Sequence, residues 1–593
     1  MKSTALASLA ALLLFLIARA PAALNVSPPL WGFDGKVLNE SFNVLSIEIA
    51  NPGGKPFDGE LVLDDAAGLG ARSSAPCKQR VYLAPGSARW VQFYPYVSSY
   101  VPQWRLSWDG SDRGSADLGQ PNAGPPAIVL LADPNSPASR AARMRLFPDH
   151  LFPTTVSATD GLHAIVLDHQ PRWDAQRREA FLDWVNRGGI VHLIPGSDGA
   201  LPQFTETLAV LNVPGERGAV GGGWVAKHQL TRGEITEQSL KDAGFPAPEI
   251  KDDGEGNIYD MDGFVFRKLA AVTKPDIAWG LIYLLTAVYV VLIGPVFYLL
   301  RKRDYRMLLG GFVATVALFA FIFTAVGRRG YGEKQIYHSL SIARSLGAGR
   351  FDVREWIHAF ATTGDIYRFQ HAEGSQLYGA LGEGETVRGD IAAGKESNFT
   401  ADIPLFSSRP FLHRGVEKTD DPGITVVEWD ETSAIPGSLR IKTEAGFRKR
   451  AFTAIVSRRG YYAEMTPTAD GFELKRGNAR SSNTEFFGQH QFQDYGNNWL
   501  GNDSGNKNEI ERILRSLHPV FISRVNNEGP YFKKRVTSPR PEDDRVRLFV
   551  YAEAPPEFAM KNDRFQAGTQ LVLYVQDIFK PATVPPDSAQ PKK

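Results

Sequence analysis

The sequence predicts a multidomain α+β membrane protein, and three observations carry that reading. Two uncharged apolar stretches, Ile277 to Leu300 and Met307 to Gly327, are each long enough to cross a bilayer. Short β-prone runs separated by turn residues fill the regions on both sides of them, and one region switches instead to alternating strand and helix. At about 1.5 Å of rise per residue the first stretch reaches about 36 Å and the second about 31 Å, against a hydrocarbon core of roughly 30 Å. The link Arg301-Lys302-Arg303-Asp304-Tyr305-Arg306, at about 3.3 Å per residue, is too short to recross a membrane. Residues 277–327 therefore predict a two-helix transmembrane hairpin with both flanking regions on one side.

Composition sets outer limits. The 593 residues carry 66 Lys and Arg against 65 Asp and Glu, without a long basic block, so the chain offers no electrostatic footprint for nucleic acid. A single cysteine, Cys77, excludes an internal disulfide framework and a cysteine-rich metal site.

Residues 1–22 read as a secretory signal peptide: Lys2, an apolar run from Leu9 to Ile17, and the small residues Ala20-Pro21-Ala22 before the expected cleavage at Ala23. The hairpin link, with four basic residues in six, reads as a cytoplasmic turn. The expected location is the inner (cytoplasmic) membrane with the large regions extracytoplasmic; Arg328, Arg329 and Lys334 on the outer side run against the charge rule.

Residues 23–122 alternate β-prone runs with turn signals: Val44 to Ile49, Gly59 to Leu63, Arg80 to Leu83, Trp90 to Tyr94 and Trp104 to Trp108. That pattern predicts an immunoglobulin-like β-sandwich. After the linker Asn122-Ala-Gly-Pro-Pro, residues 125–250 predict an α/β unit. Ala127 to Ala132 is a continuous apolar strand, and Ser136-Pro137 opens a helix. His163 to His169 is a strand, a helix follows from Asp174 with Phe181, Trp184 and Val185 on one face, Gly188-Gly189 stops it, and Ile190 to Ile194 is the next strand. A strand, helix, strand crossover requires a parallel sheet.

This strand, the helix Trp173-Asp-Ala-Gln-Arg-Arg-Glu-Ala-Phe-Leu-Asp-Trp-Val-Asn-Arg-Gly-Gly and the following strand resemble the class I glutamine amidotransferase-like fold. Together with Leu292-Ile-Gly-Pro-Val-Phe-Tyr-Leu-Leu-Arg-Lys-Arg303 they are similar to uncharacterised bacterial envelope proteins that place such a domain before a hairpin. The enzymes of the amidotransferase family carry a cysteine nucleophile at the sharp turn after a strand. The matching turn here reads Pro195-Gly196-Ser197-Asp198-Gly199, so the resemblance implies a binding or scaffold role.

In a doubly wound sheet ligands approach the carboxyl ends of the strands, which makes Asp168, His169, Gly196, Ser197 and Asp198 the candidate cleft. Ser197 matches a nucleophile elbow in part, since Gly196 precedes it directly and Gly199 follows by two, and the same tetrapeptide is an ordinary turn. His192 alternates with apolar strand residues and reads as packed. No His-x-x-x-His pair for a metal and no cofactor motif appears. The acidic run Asp252 to Asp262 concentrates oxygen ligands, yet neither register puts glycine sixth and glutamate twelfth as a calcium loop of the EF-hand type requires, so it reads as a juxtamembrane loop.

Residues 331–579 predict a second, larger β-rich region, with runs at Gln335 to Ile342, Ile424 to Trp429, Leu439 to Lys442, Phe452 to Val456, Val546 to Tyr551 and Leu571 to Val575. One helix is expected from about Asn508, bearing Ile510, Ile513, Leu514 and Leu517 on one face, and residues 580–593 read as a disordered tail. The functional expectation is a non-catalytic, membrane-anchored scaffold or binding protein of the cell envelope with an envelope protein partner. The alternatives are an envelope hydrolase using Ser197 and an accessory subunit of a membrane complex.

Overall fold

The computed structural model describes residues 24–66, 74–98, 101–111, 113–133, 142–245, 247–252, 261–273, 279–331, 334–370, 374–379, 389–392, 398–430, 435–458, 461–474, 481–482, 521–522, 525, 534–537, 545–562 and 564–579. The expected signal peptide, the helix at Ser136-Pro137, the helix from Asn508 and the tail lie outside the described residues.

The chain is β-rich. In the first region each of the five expected runs forms a strand: Leu45–Ala50, Phe57–Ala66, Cys77–Leu83, Ala88–Phe93 and Gln103–Gly110. Alternation builds them, as Gln103–Gly110 shows, where Trp104, Leu106 and Trp108 turn inward and Gln103 and Arg105 outward. Two sheets enclose a core of Trp31, Leu45, Ile47, Leu61, Leu63 and Trp104. One of these sheets does not stop at the region's edge. Cys77–Leu83 pairs in parallel with Gly389–Ala392, so the sheet runs on into strands that belong, in sequence, to the far side of the hairpin.

The α/β unit has strand order Leu146–Pro148, Ala127–Ala132, Leu162–Leu167, Ile190–Leu193, Gly223–Lys227 and Arg217–Val220, parallel except for the last pair. Continuous apolar strands are what a sheet covered on both faces needs. Val129, Ile165, Val191 and Val225 pack on one face with Phe181, Trp184 and Val185 of the helix Ala175–Asn186, and Leu130, Val166 and Ala226 pack on the other with Ile235, Leu240 and Phe245. Asp174 caps that helix by accepting from the Arg177 N–H at 2.8 Å. Gly188, at φ 121°, ends it, and Gly189 lies so close that a Cβ would stand 2.5 Å from the Trp184 ring.

Among the described residues two helices are long and apolar enough to cross a membrane, Gly280–Leu300 and Tyr305–Val326. Their apolar side chains face outward, with Leu299 at 77% and Phe321 at 72% exposure. Pro295 lacks an N–H and crowds the preceding turn, and Leu292–Val296 widens there into a π-turn. The second helix begins at Tyr305 instead of the expected Met307, because the Asp304 side chain accepts from the Arg306 N–H and caps it.

The expected runs beyond the hairpin all form strands, and with them appear Arg350–Ala361 and Ser407–Lys418, long strands that sequence reading missed. Twelve strands join among the described residues into one sheet. One face packs Leu340, Trp356, Leu412, Phe549 and Leu573 beneath the helix Met261–Thr273, which begins at the end of the acidic run expected as a loop and contributes Phe264, Val265, Phe266 and Leu269. The opposite face packs Val353, Val456, Leu548, Val550 and Tyr574.

Candidate functional site

The carboxyl ends of the strands Leu162–Leu167 and Ile190–Leu193 lie side by side, with the Ile194 N–H donating to the Leu167 carbonyl at 3.0 Å. Asp168 and the turn at 196–200 are therefore neighbours: a Cβ built on Gly196 would stand 2.9 Å from the Asp168 carbonyl oxygen. Within the turn the Gly196 N–H donates to Ala200 at 2.9 Å, the Gly199 N–H to Gly196 at 3.0 Å, and the Asp198 carboxylate accepts from the Ala200 N–H at 3.0 Å. Asp198 thus closes an Asx turn on itself.

Ser197 is exposed and its hydroxyl makes no hydrogen bond among the described residues. Gly199, at φ 76°, supplies the left-handed residue of this turn, whereas a nucleophile elbow concentrates its strain at the serine. His192 is buried on the other side of its strand, with Nδ1 3.0 Å from His228 Nε2 and its ring edge-on to Phe245. Burial and the neighbouring His228 hold His192 well below the usual histidine range, so this pair stays neutral.

The polar chemistry at the strand ends is gathered instead around Asp168 and His169. His169 Nδ1 stands 2.8 Å from Asp168 and Nε2 3.4 Å from Asp149, while Arg232 donates through Nε to Asp168 at 2.7 Å. Burial opposes a charge on His169, but the carboxylates of Asp149 and Asp168 outweigh it and push the imidazole up to about 9. Burial likewise opposes ionisation of Asp168, and His169 and Arg232 overcome it. Asp149 and Arg232 were not legible as partners, since they lie 20 and 63 residues from His169 with no motif between; Asp149, directly after Leu146-Phe147-Pro148, gives no signal.

The pair has a pH signature. A raised histidine pKa stabilises the fold below the unfolded value of about 6.5 and loses that contribution as pH rises through about 9. The wild type should therefore lose about 2–3 kcal/mol more than His169→Gln between pH 6 and pH 9.5, read from denaturant midpoints. Equal losses in the two proteins would show that the imidazole is uncharged at neutral pH.

Cys77 opens its strand opposite Leu63 and Ile391. Burial first, then Asp65 and Asp64, push its thiol up to about 12, which leaves no thiolate for chemistry at neutral pH. Asp262, the last residue of the acidic run, is 5% exposed and belongs to a helix. Its carboxylate accepts from the Tyr96 hydroxyl and, at 2.8 Å, from Trp356 Nε1, so it is a packing residue and not part of the loop expected from sequence; residues 253–260 lie outside the described residues. Among the described residues no group of three His, Cys, Asp or Glu side chains is placed to hold a metal ion.

The densest ionic constellation joins the α/β unit to the 12-stranded sheet. Asp352 accepts from Arg414 at 2.9 and 2.7 Å and from Arg187 at 2.8 Å, and Asp160 meets Arg187 at 2.9 Å and Arg414 at 3.0 Å. Arg350 forks onto Asp183 at 3.0 and 2.8 Å, and the Asn186 amide donates to the Leu346 carbonyl at 3.1 Å. Burial works against the ionisation of Asp160 and Asp352, yet Arg414 and Arg187 hold both well below the usual carboxylate range.

No family model and no curated protein matches the chain. A cycloisomaltooligosaccharide glucanotransferase of a Paenibacillus species, complexed with cycloisomaltoheptaose, is similar at 10% identity over 67% of this chain and 73% of that one, with a TM-score of 0.16. A beta-glucuronidase of glycoside hydrolase family 2 is similar at 10% identity over 92% of this chain and 62% of that one, with a TM-score of 0.13. Scores this low carry no argument about fold or activity.

Proposed function

We propose that the chain is a membrane-anchored scaffold or binding protein of the cell envelope, non-catalytic, with its β-rich regions and its α/β unit outside the cytoplasmic membrane. In this reading the N-terminus is a signal peptide, the first region an immunoglobulin-like module, the α/β unit an amidotransferase-like domain without its nucleophile, and the ligand a second envelope protein. The observation that carries it is the ionic belt of Asp160, Asp352, Arg187 and Arg414: it clamps the α/β unit to the long sheet as a wall of one platform. The strand-end groups point the same way, because Asp168, His169 and Arg232 are paired with one another.

A hydrolase built on Ser197 is the competing reading. It requires a base with a ring nitrogen turned to the hydroxyl, whereas both nitrogens of His169 face carboxylates and Nδ1 of His192 faces His228. Ser197→Ala should therefore leave function unchanged in a complementation assay in a deletion strain, because removing an exposed, unbonded hydroxyl costs little. Complete loss with a normally folded, normally inserted protein would overturn the scaffold reading. Orientation has its own test: a cysteine at Asp304, in a Cys77→Ser background, should resist a membrane-impermeant thiol reagent in intact cells and react after permeabilisation. Labelling in intact cells would reverse the topology.

A further inference from the structure

Where the α/β unit meets the 12-stranded sheet, a cavity of about 220 Å³ is lined by Arg187, Arg344, Arg547, Asp577 and the turn Gly221-Gly222, among others. Its charges are unevenly matched. Arg187 is tied to Asp160 and Asp352. Asp577 is claimed twice, by Arg547 at 2.7 and 3.0 Å and by Arg545 at 3.2 Å, so its charge is already answered. The Arg344 guanidinium makes no direct hydrogen bond or ion pair among the described residues.

Asp160 and Asp352 attract the Arg344 guanidinium, but both are bonded to Arg187 and Arg414, and an arginine left with no direct partner in a half-buried cavity, with two further guanidiniums near it, is unfavourable. Burial first, then Arg187 and Arg547, pull Arg344 down to about 9. A guanidinium does not deprotonate under physiological conditions, so what relieves this arrangement is an anion.

The walls suit one. Gly221, at φ 55°, and Gly222 bring main chain against the end of the crossover helix: a Cβ on Gly222 would stand 2.5 Å from the Asn186 carbonyl oxygen and 3.2 Å from the Asp577 carboxylate. Gly221 and Gly347 on the rim are exposed, which leaves a way in. The volume accommodates a tetrahedral oxyanion with a few waters. Forked donors arriving from three separate strands and helices match the several oxygens of such a group better than the two of a carboxylate.

We propose that this cavity binds a phosphate-type oxyanion, free or as the headgroup of a lipid, with Arg344 as its principal partner and Arg187 and Arg547 at its sides. The site is separate from the strand-end cleft, and the proposal stands whether or not the scaffold reading does.

The test is thermal unfolding of the full chain in a non-ionic detergent. Inorganic phosphate should raise the midpoint of the wild type above that in chloride of equal ionic strength. In Arg344→Met the rise should vanish, and its midpoint in chloride should equal or exceed the wild type's, since an unanswered charge is gone. Arg344→Lys keeps the charge without the fork and should bind phosphate at least about tenfold more weakly. A second arm uses short-chain phosphatidic acid against phosphatidylcholine. A shift confined to phosphatidic acid and dependent on Arg344 assigns the oxyanion to a lipid headgroup. No shift in either arm, or an equal shift in Arg344→Met, overturns the proposal.

Discussion

Asp352→Ala should cost roughly 3–5 kcal/mol, among the largest effects of any single side chain outside the apolar cores. The carboxylate is 2% exposed and receives three charged donors from two arginines that are themselves almost fully covered. Removing it leaves Arg414 and Arg187 sharing Asp160 alone, so one buried positive charge goes unanswered. The loss differs from what the ion pairs contribute relative to apolar side chains. Replacing Arg187, Asp160, Asp352 and Arg414 together by apolar residues of similar volume should be nearly neutral, because the desolvation cost of the ions disappears with their attraction. Acid gives an independent reading. Carboxylates with depressed pKa values stabilise above the unfolded value of about 4 and lose that contribution only as pH falls through the folded value, so the belt should persist through pH 4 and fail below it. The measurement is the denaturant midpoint of the full chain in detergent for wild type, Asp352→Ala and Asp352→Asn. A loss under about 1 kcal/mol for the alanine variant would mean that the belt behaves as a solvent-screened surface network.

The parts of this architecture that were legible in sequence are those written in local periodicity. Strict alternation marked Trp104 to Trp108, and a strand, capped helix, double glycine and strand marked the crossover, because each pattern is complete within a few residues. Arg350–Ala361 escaped notice for the opposite reason. Its sequence, Arg-Phe-Asp-Val-Arg-Glu-Trp-Ile-His-Ala-Phe-Ala, carries four charged residues, yet from Phe351 onward every side chain is buried, Asp352 and Glu355 included. Those charges are buried because their partners come from positions such as Asp160, Arg187 and Arg414, hundreds of residues apart in places, and no window sees them. The candidate cleft divides the same way. That Asp168 and Gly196 sit at adjacent strand ends followed from the parallel sheet. That His169 is gripped by Asp149, and Asp168 by Arg232, depends on how loops return to the sheet edge.

Asp262→Leu should lower stability by about 2–6 kcal/mol, because it orphans two buried donors at once. The Tyr96 hydroxyl and Trp356 Nε1 both give their protons to this carboxylate, and both residues are nearly fully buried. Leucine fills the space but accepts nothing, so each donor bears its own desolvation penalty of about 1–3 kcal/mol. The position is also an architectural joint. Tyr96 comes from the first β region and stacks on Tyr378 at 4.5 Å, Trp356 comes from the middle of the long sheet, and Asp262 opens the helix Met261–Thr273 that precedes the first apolar span. Losing the carboxylate should therefore loosen the helix from the sheet, which burial of Phe264, Val265 and Leu269 alone would then have to hold. A double-mutant cycle separates this from simple misfit. Tyr96→Phe and Asp262→Leu each remove the same hydrogen bond, so the pair together should cost less than the sum of the singles by more than about 1 kcal/mol. Strict additivity would show that the two residues do not interact and that the helix is held by its apolar face alone.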